Sequence, residues 1–227
     1  MVVLMRFIIS LVLVSWMSLV QASTEDDIWQ TYSHFLDGFS GDLATKSELY
    51  KESPDTYWAM VQQRVLPLWS KEASIEGLAT WAKLDDLSPT QRQQLDAVLD
   101  ATVQRYAFEI LDNYSGQRFV LNKLVRDDEF PEFAVLEITA VWDDFPDLDI
   151  ELMLINEDDQ WRFYNIRYGW FSYIGAKKWS YRRGLVSARF DSFLEGLANK
   201  NRRHFAAMCA ATLVQTSQIC HEWIGDQ

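Results

Sequence analysis

The repeat of apolar residues along the chain changes near Gly116. Before that glycine, residues such as Ile28 and Tyr32 recur every three or four positions, which is the repeat of a helix that buries one face. After it, residues such as Leu136 and Ile138 alternate with polar ones, which is the repeat of a half-buried strand. The pattern therefore predicts an α+β fold in which helices come first and strands follow.

Helices are predicted over residues 26–39, 54–65, 74–84 and 88–114. The fourth has the clearest start, because Ser88 precedes Pro89 and Gln91 in the order of a capping box. Gly116 follows its end, where glycine commonly terminates a helix. This long helix carries one wide apolar stripe, so it is expected to pack against much of the remaining chain.

Strands are predicted over residues 119–125, 133–142, 149–155 and 161–168, with a polar turn over 156–159. A helical block over 179–197 and a tail over 202–223 follow them. The predicted architecture has N-terminal helices and one long helix wrapped around a curved antiparallel sheet of about four strands, closed by a C-terminal helix. No repeat or flexible linker divides the chain, so one domain is expected over residues 23–200, with an extension over 201–227.

The N-terminus has the pattern of a secretory signal peptide. Arg6 precedes a largely apolar stretch over residues 7–20, and the small residues of Val20-Gln21-Ala22 match a signal peptidase site. The alternative is a membrane anchor, but crossing a bilayer takes about 20 apolar residues and a polar run begins at Ser23. Export is therefore predicted, with cleavage after Ala22.

The overall charge and the missing motifs narrow the classes of function. Lys and Arg number 21 against 33 Asp and Glu, a net charge of −12, which argues against nucleic-acid binding because phosphates need cations. The chain also lacks a P-loop, a dinucleotide-binding glycine loop, an HExxH zinc helix and a nucleophile elbow. We therefore expect neither an enzyme of a common class nor a cofactor or metal site.

A cluster of carboxylates near Phe145 allows two interpretations. Asp143 and Asp149 belong to this cluster, and paired carboxylates perform acid–base chemistry when burial separates their pKa values. A solvated loop beside an outward-facing strand explains the same residues. The catalytic interpretation requires Asp143 or Asp149 to be buried against an apolar pocket.

The two cysteines, Cys209 and Cys220, constrain the tail. In one unbroken helix they would lie about 16 Å apart, whereas a disulfide allows roughly 7 Å between Cα atoms. A disulfide therefore requires a turn between them, for which the polar residues 215–218 are suited. The sequence leaves the bridge open.

The chain is rich in large rings, with ten Trp, nine Tyr and thirteen Phe. They are explained either by a well-packed core or by an apolar ligand cavity between the long helix and the concave face of the sheet. Composition does not separate these two explanations.

Several motifs, in order, resemble the MlaC family, also called the toluene-tolerance or ABC-transporter auxiliary family. The first half contributes Val65-Leu66-Pro67-Leu68-Trp69, Trp81, Ser88-Pro89-Thr90-Gln91-Arg92, Arg105-Tyr106-Ala107 and Leu111. The second half contributes Gln160-Trp161-Arg162-Phe163-Tyr164-Asn165-Ile166, Gly169, Ser172-Tyr173-Ile174, Lys178, Tyr181 and Leu185. The resemblance extends over residues 26–197, and it departs from the family where Trp170-Phe171 broaden the step from Gly169 to Ser172.

The resemblance implies a periplasmic, non-enzymatic carrier of phospholipid, or of a hopanoid-like lipid in solvent-tolerance relatives. Such carriers pass lipid between an outer-membrane lipoprotein complex and an inner-membrane ABC-transporter complex, a role tied to outer-membrane lipid asymmetry. An adaptor without lipid cargo, its cavity filled by aromatic side chains, is the alternative. The predicted cavity lining comprises Val103, Tyr106, Ile110, Leu136, Ile138, Trp142, Ile150, Leu152 and Leu154.

Overall fold

The computed structural model describes residues 25–79, 84–126, 128–210 and 217–224. The predicted signal peptide, residues 1–22, lies outside the described residues, as do Trp81 and part of the predicted turn over 215–218. No helix in the described part of the chain is both long enough and apolar enough to span a membrane.

Four α-helices with described bounds precede the sheet, and we number them α1 to α4. They span Glu25–Glu52 (α1), Pro54–Arg64 (α2), Lys71–Leu78 (α3) and Pro89–Asp112 (α4). α1 continues well beyond the predicted end at residue 39, because Leu43 and Tyr50 extend its buried stripe through a mostly polar segment. α3 begins before the predicted residue 74, since the Ser70 side chain accepts a hydrogen bond from the Ala73 N–H and caps the helix earlier.

The predicted capping box at the start of α4 is confirmed. The Gln91 N–H donates to Ser88 Oγ at 3.3 Å, and the Ser88 N–H donates to Gln91 Oε1 at 3.0 Å. Two N–H groups at the helix start are thereby satisfied by side chains.

The sheet confirms the four predicted strands and adds a short fifth. The strands are Arg118–Arg126 (β1), Phe133–Val141 (β2), Leu148–Glu157 (β3), Gln160–Tyr168 (β4) and Phe171–Ser172 (β5). All neighbours are antiparallel and follow the chain order. Asp158 and Asp159 form the β3–β4 turn with φ of 52° and 61°, in the left-handed region that tight hairpins require.

The single helical block predicted over residues 179–197 is wrong. The chain forms α5 over Tyr173–Gly184, a short 3₁₀ turn, and α6 over Phe190–Cys209, followed by α7 over Gln218–Ile224. The break falls where Gly184 meets Phe193, since a Cβ at Gly184 would lie 2.3 Å from Phe193 Cγ. Glycine at this position lets the ends of α5 and α6 approach closely.

α1 packs its two halves against different partners. Its first half places Ile28, Tyr32 and Leu36 on the face of the sheet that carries Leu136 and Leu154, which we call the inner face. The opposite face, which carries Val135, is the outer face. The second half of α1 packs with α2, α4 and α6, in a cluster that includes Leu43, Tyr50, Tyr57, Phe108 and Phe205. The predicted α+β architecture, with helices against a sheet, is confirmed.

A buried polar network joins α4 to α6. Asn201 is almost fully buried, accepts a hydrogen bond from Arg105 Nε at 3.0 Å, and donates to Thr102 Oγ1 at 3.1 Å. Because buried polar groups are costly when unpaired, this network fixes how α6 lies along α4.

The disulfide left open by the sequence is present. Cys209 ends α6 and Cys220 lies in α7, with their Cα atoms 5.5 Å apart, because the chain reverses between the two helices. Asp55 of α2 also accepts hydrogen bonds from the Gln218 and Ile219 N–H groups, at 2.8 and 3.0 Å. The tail therefore packs onto the helical layer.

Replacing both cysteines by alanine should lower the free energy of unfolding by about 2–3 kcal/mol, because the bridge closes a loop of 11 residues in the unfolded chain. Urea unfolding followed by circular dichroism measures this. The control is wild-type protein unfolded in the presence of reductant. Its free energy of unfolding should equal that of the double variant. Equal stability of the variant and the oxidised wild type would contradict the prediction.

Candidate functional site

α4 is attached to the sheet at two separated points. The Tyr106 ring contacts Tyr173, which directly follows β5, with centroids 5.6 Å apart. Trp142, directly after β2, donates from Nε1 to Oγ of Ser115, just beyond the end of α4, at 3.1 Å. Phe108 of α4 also packs in the cluster that holds the second half of α1. α4 therefore packs against the second half of α1 and meets the residues that directly follow β2 and β5.

Between these two attachments, apolar side chains remain accessible. Ile110 of α4 is 47% exposed, and Leu148 and Ile166 are each 40% exposed. Ile150 pairs with Ile138, and Ile166 pairs with Leu152, so both isoleucines belong to the inner face. We group Val103, Tyr106 and Ile110 of α4 with Leu148, Ile150 and Ile166 of the inner face as the candidate lipid site, and we call this group the inner cleft.

The predicted cavity lining divides into two groups. Leu136, Ile138, Leu152 and Leu154 are buried, and Ile28, Tyr32 and Leu36 of α1 pack in the same cluster. These four residues thus lie in the core beneath α1, whereas the sequence analysis placed them opposite the long helix. Val103, Tyr106, Trp142 and Ile150 are half-buried and Ile110 is exposed, so they keep an accessible surface.

Sequence reasoning missed Ile166 because of a β-bulge. The β3–β4 register shifts at Tyr164, so that Phe163 pairs with Leu154 but Asn165 pairs with Met153. Strict alternation would put Ile166 on the side of Tyr164, which contacts Phe133 of the outer face. The extra residue returns Ile166 to the inner face.

The aromatic end of the inner cleft is uncharged at neutral pH. Burial raises the pKa of Tyr173 well above its ordinary value, and the adjacent Tyr106 raises it further. Arg105 stacks over the Tyr106 ring at 4.4 Å but directs its Nε to Asn201. A neutral wall of rings and aliphatic side chains is suited to an apolar ligand.

Two further depressions lie elsewhere on the surface. One, on the outer face, has a volume of about 440 Å³ and is lined mainly by Val125, Phe133, Val135, Met153 and Tyr164. It is apolar, and its size falls within the range of small-molecule pockets.

The other depression, of about 480 Å³, lies at the start of α3 and is polar. Its Glu157 accepts hydrogen bonds from Ser70 Oγ at 2.5 Å and from Arg162 at 3.0 Å. These internal pairings explain the charged groups as structural links between α3 and the β3–β4 hairpin.

The carboxylates considered for catalysis do not meet the condition set for them. Asp143 and Asp149 are both exposed, and Asp149 accepts a hydrogen bond from Thr139 Oγ1 at 2.7 Å on the outer face. Within the described ranges, no group of three or more His, Cys, Asp or Glu is placed to bind a metal ion. The geometry thus favours the solvated interpretation of this cluster.

Comparison with solved structures finds the same fold in a phospholipid-binding protein from Ralstonia solanacearum, which was determined in complex with a phospholipid. The match has a TM-score of 0.64 and 14% sequence identity, and covers 77% of this chain and 97% of that chain. At this identity the likeness establishes the shared fold. No protein-family model and no curated protein matches the chain.

The assignment of Leu136 to the core and of Ile166 to the inner cleft can be tested by measuring the free energy of unfolding of variants. Leu136→Ala should lower the free energy of unfolding by about 2–5 kcal/mol, because it leaves a cavity under α1. Ile166→Ala should lower it by about 1 kcal/mol or less, because the side chain is already 40% exposed. Urea unfolding of both variants measures the difference, and equal losses would contradict the assignment.

Proposed function

We propose that this protein is a periplasmic lipid carrier that holds phospholipid acyl chains in the inner cleft. The observation that carries the proposal is the fold shared with a phospholipid-bound protein over 97% of that protein's chain. The accessible apolar residues between α4 and the inner face supply a surface of suitable chemistry. No catalytic step, metal or cofactor forms part of this function.

Burial of acyl chains accounts for affinity without specific headgroup contacts. Each buried CH₂ contributes about 0.8 kcal/mol, so two long chains contribute roughly 20 kcal/mol before the costs of association and ordering. The uncharged aromatic wall at Tyr106 and Tyr173 imposes no electrostatic penalty on these chains. A ligand held this way leaves slowly, so its release depends on a partner.

The proposed role is transfer between an outer-membrane lipoprotein complex and an inner-membrane ABC-transporter complex. The motifs around Pro67, Ser88 and Trp161, together with the signal-peptide pattern, support it. The Cys209–Cys220 disulfide supports an oxidising compartment such as the periplasm. A hopanoid-like lipid is an alternative cargo for the same apolar surface.

An adaptor without cargo is the second candidate. It is favoured by the packing of α1, whose Ile28, Tyr32 and Leu36 already occupy the inner face over Leu136 and Leu154. In that case the inner cleft would be too small for an acyl chain.

Native mass spectrometry of the mature protein, purified from its own periplasm, separates the two candidates. The carrier proposal predicts a stoichiometric lipid adduct, which solvent extraction and lipid mass spectrometry then identify. A bare protein mass with no extractable lipid would overturn it in favour of the adaptor.

The double variant Ile110→Glu/Ile166→Glu should retain at least about tenfold less lipid, because carboxylates in the inner cleft would have to be desolvated by the acyl chains. Both side chains are accessible, so the fold should persist, and circular dichroism checks this. The lipid-to-protein ratio after extraction is the measurement.

The matched control for this variant is Leu49→Glu/Val120→Glu. Leu49 and Val120 are 50% and 45% exposed, on α1 and on the outer face, so the control introduces the same charge at similar exposure away from the cleft. It should retain lipid at the wild-type level. Equal lipid content in the two double variants would place the binding site elsewhere.

A further inference from the structure

Positive charge is concentrated in one part of this acidic chain. Between Asp159 and Asp191 there is no acidic residue, whereas seven of the 21 Lys and Arg residues lie there. The chain as a whole carries a net charge of −12. This segment contains β4, β5 and α5. Arg162 and Arg167 of β4 pair with Glu157 and Glu151, so the positive charge that remains exposed lies mainly on α5.

Three cations of α5 are available to an external anion. Lys178 and Arg183 are exposed and Lys177 is half-buried, and none of the three forms an ion pair with a carboxylate of the described residues. Lys46 and Lys71, by contrast, pair with aspartates at 2.7 and 2.5 Å. α5 itself contains no acidic residue.

Two tryptophans of the same segment have their rings in solvent. Trp170, in the turn between β4 and β5, is 96% exposed. Trp179 of α5 is 66% exposed, with the Arg183 guanidinium 4.2 Å from its ring centroid. Large exposed rings are unfavourable in water, but Trp is the residue preferred at the boundary between lipid headgroups and acyl chains.

This surface adjoins the aromatic end of the inner cleft. Trp170 lies between Tyr168 and Phe171, whose rings stack at 4.7 Å. Tyr173, the first residue of α5, contacts Tyr106 of α4, which borders the cleft. A molecule bound at α5 would therefore lie close to the proposed lipid site.

We propose that α5 and the β4–β5 turn dock this protein onto an anionic phospholipid bilayer. Resting on the function proposed above, this docking face comprises Trp170, Lys178, Trp179 and Arg183. Its cations attract anionic headgroups and its tryptophans insert at headgroup depth. The aromatic end of the inner cleft then lies at the bilayer surface, where an acyl chain passes into or out of the protein with little exposure to water.

Flotation of the full mature chain with vesicles tests the proposal. Phosphatidylglycerol–phosphatidylethanolamine vesicles should carry the protein upward, whereas pure phosphatidylcholine vesicles should not. Added salt should weaken the binding, because screening reduces the attraction between Lys or Arg and the lipid surface.

Lys178→Glu/Arg183→Glu should weaken partition onto anionic vesicles at least about 30-fold, because losing two surface cations accounts for that factor and the two added carboxylates repel the anionic lipid further. Arg202→Glu/Arg203→Glu on α6 is the matched control, because both its arginines are exposed and the net charge changes equally. Trp170→Ser should also weaken partition, while Phe145→Ser, which removes a 66% exposed ring from the β2–β3 loop, should not.

Failure of the wild type to float with anionic vesicles would overturn the docking proposal, as would equal losses in the variants and their controls. Binding of the docking face to an acidic protein instead would appear as an absence of flotation. Native mass spectrometry of the same samples keeps the outcomes distinguishable. A lipid adduct without flotation would refute the docking proposal alone, and flotation without a lipid adduct would refute the carrier proposal.

Discussion

The position of α1 between the sheet and the other helices determines the rest of the structure. Its first half, with Tyr32 and Leu36, covers part of the inner face, and its second half, with Leu43 and Tyr50, packs against α2 and α4. α4 consequently rests on α1 and not directly on the strands. The 28-residue helix α1 belongs to both layers, because it packs on the sheet and on the other helices. Its diameter therefore sets the distance between α4 and the part of the sheet that α1 leaves uncovered.

This space is the part of the structure in which we propose that lipid binds. Ile110 and Ile166 expose apolar surface to solvent. This exposure is unfavourable in water, and a bound apolar ligand would remove it. The contacts at Tyr173 and Trp142 fix the C-terminal part of α4, from Tyr106 to just beyond its end, relative to the sheet. The basic and aromatic surface of α5 adjoins the Tyr106–Tyr173 contact, so the proposed membrane-docking face would lie next to the proposed lipid site.

Much of the fold was predictable from local signals, whereas the site was not. The capping box at Ser88 and the alternation of β2 depend on residues close in sequence, so the pattern identified α4 and the strands correctly. Which helix covers Leu136 depends on packing between distant segments, so the sequence placed it opposite α4 although α1 covers it. Ile166 was missed because one extra residue at Tyr164 reverses the alternation, and such a bulge has no local signature here.

The central claim is that acyl chains lie between α4 and the inner face. The most direct measurement uses a phospholipid with a photoreactive diazirine at the end of one acyl chain, crosslinked to the purified protein and mapped by peptide mass spectrometry. The account predicts labels on Ile110, Ile150 and Ile166. Labels confined to Phe133, Met153 and Tyr164, in the outer-face depression, would contradict it.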